Sequence, residues 1–254
     1  MSLTSAVTFA KPASASPIDC MDGNAYYSRF DGYYSSAGSP TGGTYEGASA
    51  DLINNTAPIC DTGTQDPNFN FNYVWVMIHQ NNAAPGGSAH GYAQMGFYRG
   101  YAQPCGYFTN EYSQDGNDTY HRYIETRLCL DPYTINQYWV QFVPTDNYGN
   151  GGIRMNVDVT IMGITPFSPY NAWNPATYGP FFTEFNGETK YLGSDIPDTN
   201  YQRIEVQQEA GDAFTSTLPS LYDGCPWPNR YQKSTIANNF FAISTGGQSG
   251  YHYC

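Results

Sequence analysis

Basic residues are scarce in this sequence of 254 residues. Ten Lys and Arg stand against 22 Asp and Glu, which gives a net charge of −12. Nucleic acids and anionic membrane surfaces are bound by clusters of basic side chains. The sequence therefore predicts neither kind of partner. It also lacks an apolar run of about 20 residues, the length of a membrane-spanning helix, so we expect no membrane insertion.

The motifs of several common enzyme classes are absent as well. There is no GxSxG, no P-loop, no dinucleotide-binding glycine pattern and no CxxC pair. These absences argue against an α/β-hydrolase, a nucleotide-binding fold, a zinc ribbon and a thioredoxin-type site.

Ligands for a metal ion are also hard to find. Four histidines are present: His79, His90, His121 and His252. None of their spacings is typical of a metal-binding pair, and we interpret them as loop or surface residues. Residues 115–118 and 146–150 are rich in Asp, Asn and Gly, whose oxygens calcium would accept, but turn formation explains both segments. We therefore expect no metal and no cofactor.

Aromatic and turn-forming residues are abundant, and they predict β-structure. The chain has 24 Tyr, 26 Gly and 17 Pro, and 17% of its residues are aromatic. Helical periodicity is almost absent, whereas Met155–Ile161 alternates as a half-buried strand does. Many strands without crossover helices predict an all-β fold, an antiparallel two-sheet β-sandwich of jelly-roll or concanavalin-like type. We predict one domain over residues 20–254, preceded by a flexible lead-in over residues 1–19.

Local sequence also predicts individual strands, from β-branched and aromatic runs bounded by turn residues. The predicted strands are 73–78, 92–98, 107–112, 121–129, 138–143, 153–161, 181–185, 201–206 and 239–244. A polar loop is predicted over residues 79–88, immediately after the first of these strands.

Six widely spaced cysteines predict disulfide bonds, and with them an oxidising, extracellular location. The residues are Cys20, Cys60, Cys105, Cys129, Cys225 and Cys254. Several pairings are open in principle. We favour bonds between sequence neighbours: Cys20 with Cys60, Cys105 with Cys129, and Cys225 with Cys254. Each bond is expected to stabilise the fold by about 2–4 kcal/mol.

Two short segments carry a resemblance to a known superfamily. A strand containing Trp75 precedes the segment Gln94-Met95-Gly96, and about ninety residues later Glu184 follows Phe181-Phe182-Thr183. This order resembles the glutamic peptidases with a concanavalin-like sandwich. These are the eqolisins and, more loosely, the neprosin group and secreted actinobacterial domains of unassigned activity. The segments that match depart from the eqolisin pattern at Met95, where eqolisins have Thr, and at Phe182, where they have Trp.

The resemblance implies a secreted peptidase that works in acid, or an inactive relative of one. Glu184 would be the general base on a water molecule, and Gln94 would stabilise the oxyanion. Trp75, Tyr92 and Phe182 would form walls of the peptide-binding site. Glu188 competes with Glu184 for the role of base, and neprosins use two glutamates where this chain has Gln94.

Two other functions remain open at this stage. The abundant Tyr, Asn and Gln would serve a module that binds glycans or polymers, and a Tyr-rich β-surface also suits a structural cell-surface domain. A row of exposed rings on one face would favour binding. Rings packed in the interior would favour a structural role. For a peptidase, Gln94 and Glu184 must approach the same water molecule.

Overall fold

The fold is an antiparallel two-sheet β-sandwich, as predicted. The computed structural model describes residues 29–35, 45–54, 71–80, 91–100, 103–113, 121–131, 133–143, 152–164, 181–189, 199–207, 212–216, 221–223, 231–233, 239–245 and 252–253. The strands are β1 (Arg29–Ser35), β2 (Gly47–Ile53), β3 (Phe71–Gln80), β4 (Gly91–Gly100), β5 (Tyr107–Ser113), β6 (His121–Glu125), β7 (Ile135–Val143), β8 (Gly152–Val157), β9 (Thr160–Ile164), β10 (Phe181–Thr189), β11 (Thr199–Gln207), β12 (Leu221–Asp223), β13 (Tyr231–Lys233), β14 (Phe241–Thr245) and β15 (His252–Tyr253).

The strands form two sheets. The first sheet has the order β12-β1-β10-β3-β4-β5-β6, and the second has the order β15-β13-β14-β11-β2-β7-β8-β9. In the first sheet, β10 and β3 are far apart in sequence but hydrogen-bonded neighbours. This pairing brings the segment of Glu184 beside the segment of Trp75. In the part of the chain that the structure describes, no helix is long and apolar enough to cross a membrane.

The core lies between the two sheets and is built from alternate residues of each strand. On β3 the residues Val74, Val76 and Ile78 face it, together with Met95 on β4 and Phe185 on β10. Side chains alternate along a strand, so the intervening residues of these strands lie on the opposite side of the first sheet, which we call the outer face. Burying such apolar side chains contributes roughly 1.5–3 kcal/mol each and dominates the stability of the sandwich.

The outer face is also apolar at one end. Phe71, Tyr73, Trp75 and Tyr98 form a second buried cluster there, and each is at most 1% exposed. Strand β3 is therefore covered on both faces along most of its length. This explains why its sequence reads as a nearly continuous apolar run rather than as an alternating one.

Gly96 lies opposite Trp75 and allows β3 and β4 to approach each other closely. A Cβ atom at this position would come within 1.8 Å of the backbone oxygen of Val74 and 2.7 Å of Cα of Trp75. No side chain can be placed there without a shift of the backbone of β3. The glycine of the Gln94-Met95-Gly96 segment therefore has a packing role.

The disulfide between Cys105 and Cys129 is confirmed. Its Cα–Cα distance is 5.5 Å, and it joins the start of β5 to the loop that follows β6. Closing a loop of this size restricts the unfolded chain and stabilises the fold by about 3 kcal/mol. Cys20, Cys60, Cys225 and Cys254 lie outside the described residues, so their pairing stays a prediction. Residues 115–118 and 146–150, considered above as calcium ligands, also lie outside the described residues.

Three of the predicted strand boundaries are wrong in an instructive way. Strand β3 continues through His79 and Gln80, which were predicted to begin a loop. Strand β6 ends at Glu125, where the predicted strand continued to Cys129. The predicted strand 153–161 is two strands, β8 and β9, because the chain reverses at Asp158, whose φ is 48°. Asp tolerates this left-handed conformation better than most residues.

Candidate active site

Gln94 and Glu184 lie on the same face of the first sheet and in the same row. Gln94 on β4 is the register partner of Met77 on β3, and Met77 is the partner of Glu184 on β10. Glu111 on β5 is the partner of Gln94 on its other side. We call these four residues the dyad row. Because neighbouring strands are about 4.8 Å apart, the Cα atoms of Gln94 and Glu184 are about 10 Å apart, with Met77 between them.

The dyad row is well shielded. Glu184 and Gln94 are 5% and 4% exposed, whereas Met77 is half-buried. The point between the two polar side chains is therefore the more open part of this row. Polar groups at such depth need partners, since a buried unpaired polar group costs roughly 1–3 kcal/mol.

Glu184 is held from two sides. Asn186 Nδ2 donates a hydrogen bond of 2.6 Å to Oε2 of Glu184. His79 Nε2 lies 3.0 Å from Oε1. The His79 ring is 3% exposed and is stacked on Phe182, with ring centroids 5.2 Å apart. Both carboxylate oxygens are thus occupied by neighbours on β10 and β3.

Gln94 is held by a second buried carboxylate. Its Nε2 donates to Oε1 of Glu111 at 3.3 Å, and the hydroxyl of Tyr92 donates to the same oxygen at 2.7 Å. Arg122 on β6 approaches Oε2 of Glu111 with its Nε at 2.5 Å. The guanidinium of Arg122 also lies 4.4 Å from the ring centroid of Phe71, an arrangement that favours a cation.

This network determines which group of the Gln94 amide, the NH₂ or the oxygen, faces Glu111. An ionised carboxylate can only accept hydrogen bonds, and its pairing with Arg122 favours the ionised form of Glu111. Gln94 must therefore present its NH₂ group, not its oxygen, to Glu111. One N–H is used in this bond. The second N–H and the amide oxygen remain for other partners.

All five residues that the sequence suggested for the site are on the outer face. Gln94 and Glu184 belong to the dyad row, and Tyr92 and Phe182 lie in the adjacent row with His79. Trp75 lies in the row on the other side of the dyad row, on the same face of the sheet. Trp75 and Phe182 are 1% and 4% exposed, and Tyr92 is half-buried. Of the three proposed wall residues, Tyr92 is therefore the one with a substantial exposed surface.

Four polar residues of the site were not predicted from the sequence: His79, Glu111, Arg122 and Asn186. The interpretation of His79 as a loop or surface residue is wrong, because it lies buried in β3 and contacts Glu184. If the predicted strand 73–78 had been extended by two residues, side-chain alternation would have placed His79 on the same face as Met77. Asn186 could likewise have been found two residues after Glu184.

A separate cleft of about 490 Å³ opens at the edge where β6 and β9 lie. Its lining includes Glu125, Leu128, Asp158 and Ile161, and Arg127 pairs with Glu125 at its rim. Leu128 and Ile161 are more than half exposed. None of its lining residues belongs to the dyad row. Among the described residues, no three His, Cys, Asp or Glu side chains are placed to hold a metal ion.

Comparisons with known proteins give a likeness of fold to solved structures. No family model matches the chain, and no curated protein matches it. Among solved structures, it is similar to that of SCP-B, a member of the eqolisin family of peptidases, in a complex with the tripeptide Ala-Ile-His. The TM-score is 0.44 at 11% sequence identity, over 86% of this chain and 98% of that chain.

Proposed function

We propose that this chain is a secreted, acid-acting peptidase of the glutamic type, with Glu184 and Gln94 as its catalytic pair. One observation carries the proposal. The two residues singled out from segments ninety residues apart lie in one row of one face, on either side of the half-buried Met77. The scissile peptide bond and the attacking water would lie over Met77, between the two side chains.

The reaction needs a base, an acid and a stabiliser of negative charge. Glu184 takes a proton from water while the water oxygen forms a bond to the peptide carbonyl carbon. The carbonyl oxygen becomes an oxyanion and is stabilised by an N–H of Gln94. The protonated Glu184 then gives its proton to the peptide nitrogen as the C–N bond breaks. The products are a carboxylic acid and an amine, so the site returns to its starting state.

The contacts of Gln94 suit the role of oxyanion stabiliser. Glu111 holds one N–H of the amide and leaves the other available. A donor that is fixed before the reaction costs no reorganisation when charge develops, which is the basis of oxyanion stabilisation. Arg122 and Tyr92 hold Glu111 in turn, so the amide is anchored through three strands, β4, β5 and β6.

The tyrosines whose side chains the structure describes do not favour the glycan-binding alternative. In the described part of the chain, six of them are buried: Tyr45, Tyr73, Tyr98, Tyr107, Tyr138 and Tyr201. The exposed rings are Tyr123 and Tyr133, at 47% and 74%. These two do not form a row on the outer face. The six buried rings therefore pack in the interior and are not available to bind a sugar.

The test is cleavage of an unfolded protein substrate between about pH 2 and 7, the range in which carboxylates and imidazoles change charge. The wild type is expected to cleave in acid, and Glu184→Gln to lose at least about a hundredfold in kcat/KM. Glu205→Gln is the matched control, since Glu205 is half-buried in β11 of the other sheet. Equal activity of Glu184→Gln and the wild type would contradict the proposal.

A further inference from the structure

Among the described side chains, His79 is a buried ionisable group beside Glu184 to which the proposed reaction gives no role. It is 3% exposed, and neither of its ring nitrogens has a hydrogen-bond partner in the described part of the structure. A buried polar side chain is normally hydrogen-bonded, so a ring of this kind calls for a reason.

The contact between His79 and Glu184 is close but not directional. Nε2 and Oε1 are 3.0 Å apart, yet the geometry does not meet the requirements of a hydrogen bond. An attraction of this kind depends on charge rather than on the direction of an N–H group. At low exposure it is screened little by water. It is therefore strong when the imidazole is protonated and weak when the imidazole is neutral.

The surroundings of His79 offer few other charges. On the outer face of the described strands its ionisable neighbours are Glu184 on β10 and Tyr92, its register partner on β4. Tyr92 donates its hydroxyl hydrogen to Glu111, so the latter carboxylate is the next charge along the sheet. Phe182 covers one face of the imidazole ring. Among the described side chains, Glu184 is thus the ionisable group in closest contact with His79.

We propose that His79 is a positioning residue that holds the Glu184 carboxylate only when the imidazole is protonated, and that it thereby confines activity to acid. The inference rests on the proposed function. Histidine side chains change charge between about pH 5 and 8. Below this range, the ion pair orients the Glu184 carboxylate toward the substrate. Above it, Asn186 is the partner that remains to Glu184 among the described side chains, and a buried carboxylate is costly to leave without a compensating charge.

The kinetic test compares His79→Gln with the wild type at about pH 4 and about pH 7, on either side of the imidazole transition. At the acid value the variant is expected to lose about tenfold or more in kcat/KM, whereas at the neutral value the two proteins are expected to be equal. If His79 has a purely structural role, kcat/KM of the variant will be lower than that of the wild type at both pH values. That result would overturn the proposal. His121→Gln is the matched control, because His121 is exposed on β6 and stacks on Tyr112 at the core side of the sheet.

A second measurement does not depend on activity. In protein labelled with ¹⁵N-histidine, the ring signals of His79 report its contact with Glu184. In acid these signals should change in Glu184→Gln, while the signals of His121 stay the same. An unchanged His79 signal would overturn the proposal. A changed signal in a protein that cleaves no peptide would support the contact while refuting the proposed function.

Discussion

Glu111 is the residue whose removal should disturb the site most through its neighbours. It is 6% exposed and accepts contacts from Arg122, Tyr92 and Gln94. In Glu111→Gln, Arg122, whose side chain is 10% exposed, loses the carboxylate that it contacts. Removing one partner of a buried ion pair costs about 3–5 kcal/mol, because it leaves a buried charge uncompensated. We expect the free energy of unfolding to fall by this amount.

The assay is unfolding by urea, followed through tryptophan fluorescence. Glu125→Gln provides a matched control on the neighbouring strand, since Glu125 also pairs with an arginine. Its partner Arg127 has a side chain that is 81% exposed, so water can replace the lost contact. The control should therefore lose much less stability than Glu111→Gln.

A double variant separates the charge from the packing. Glu111→Leu combined with Arg122→Met removes both members of the ion pair and leaves no buried charge. Such replacements are often neutral or stabilising, so most of the loss should be recovered. If Glu111→Gln is no less stable than Glu125→Gln, the account of the buried pair is refuted.

Three further predictions concern stability. Gly96→Ala should lower the free energy of unfolding by about 3 kcal/mol, since its Cβ would collide with the backbone of β3. Thermal unfolding measures this change, and an unchanged unfolding temperature would contradict the prediction. Tyr138→Phe should cost about 1–3 kcal/mol, because the hydroxyl donates a buried hydrogen bond of 2.6 Å to Asn54; urea unfolding checks this. Hydrogen bonds from the side chain and the backbone N–H of Arg127 lower the pKa of Glu125 from 4.5 to about 2. This stabilisation is present above about pH 4.5 and is lost as the pH falls toward 2, so the unfolding temperature of Glu125→Gln should depend less on pH in that window.

Strand composition carried most of the fold prediction. The runs around Val74 and Met95 are β-branched or aromatic and are bounded by Gly, Pro and Asn, so their strands were predicted within three residues at each end. Such local signals mark where a strand lies. They do not state which strands pair, so the pairing of β10 with β3 was not predicted and is known from the structure.

The errors have local physical causes. The segment from Met155 to Ile161 alternates in sequence, but Met155, Asn156 and Val157 are all buried. The tight turn at Asp158 was invisible because Asp-Val is not one of the usual hairpin turn pairs. His79 was assigned to a loop because a polar residue followed an apolar run. In the structure, the ring stacks on Phe182, and this contact depends on strand pairing that local sequence does not reveal.

The candidate site was also predicted only in part from local sequence. Gln94 and Glu184 were identified from short motifs, whereas their partners Glu111 and Asn186 carry no motif of their own. Glu111 is revealed by the register, which places it opposite Gln94, whereas Asn186 lies two residues along β10 from Glu184, a spacing that the sequence already contains. A polar side chain on the outer face acquires a role through its cross-strand neighbours, which a single sequence does not specify.

The central claim is that Gln94 and Glu184 act as one catalytic unit across Met77. The most direct measurement is kcat/KM at about pH 4 for the wild type, Gln94→Ala, Glu184→Gln and the double variant, on one unfolded protein substrate. The account predicts acid cleavage by the wild type and a loss of at least about a hundredfold in each single variant. The double variant should be little worse than either, because residues that act together give non-additive losses. Absence of cleavage by the disulfide-bonded wild type, or additive losses in the double variant, would contradict the claim.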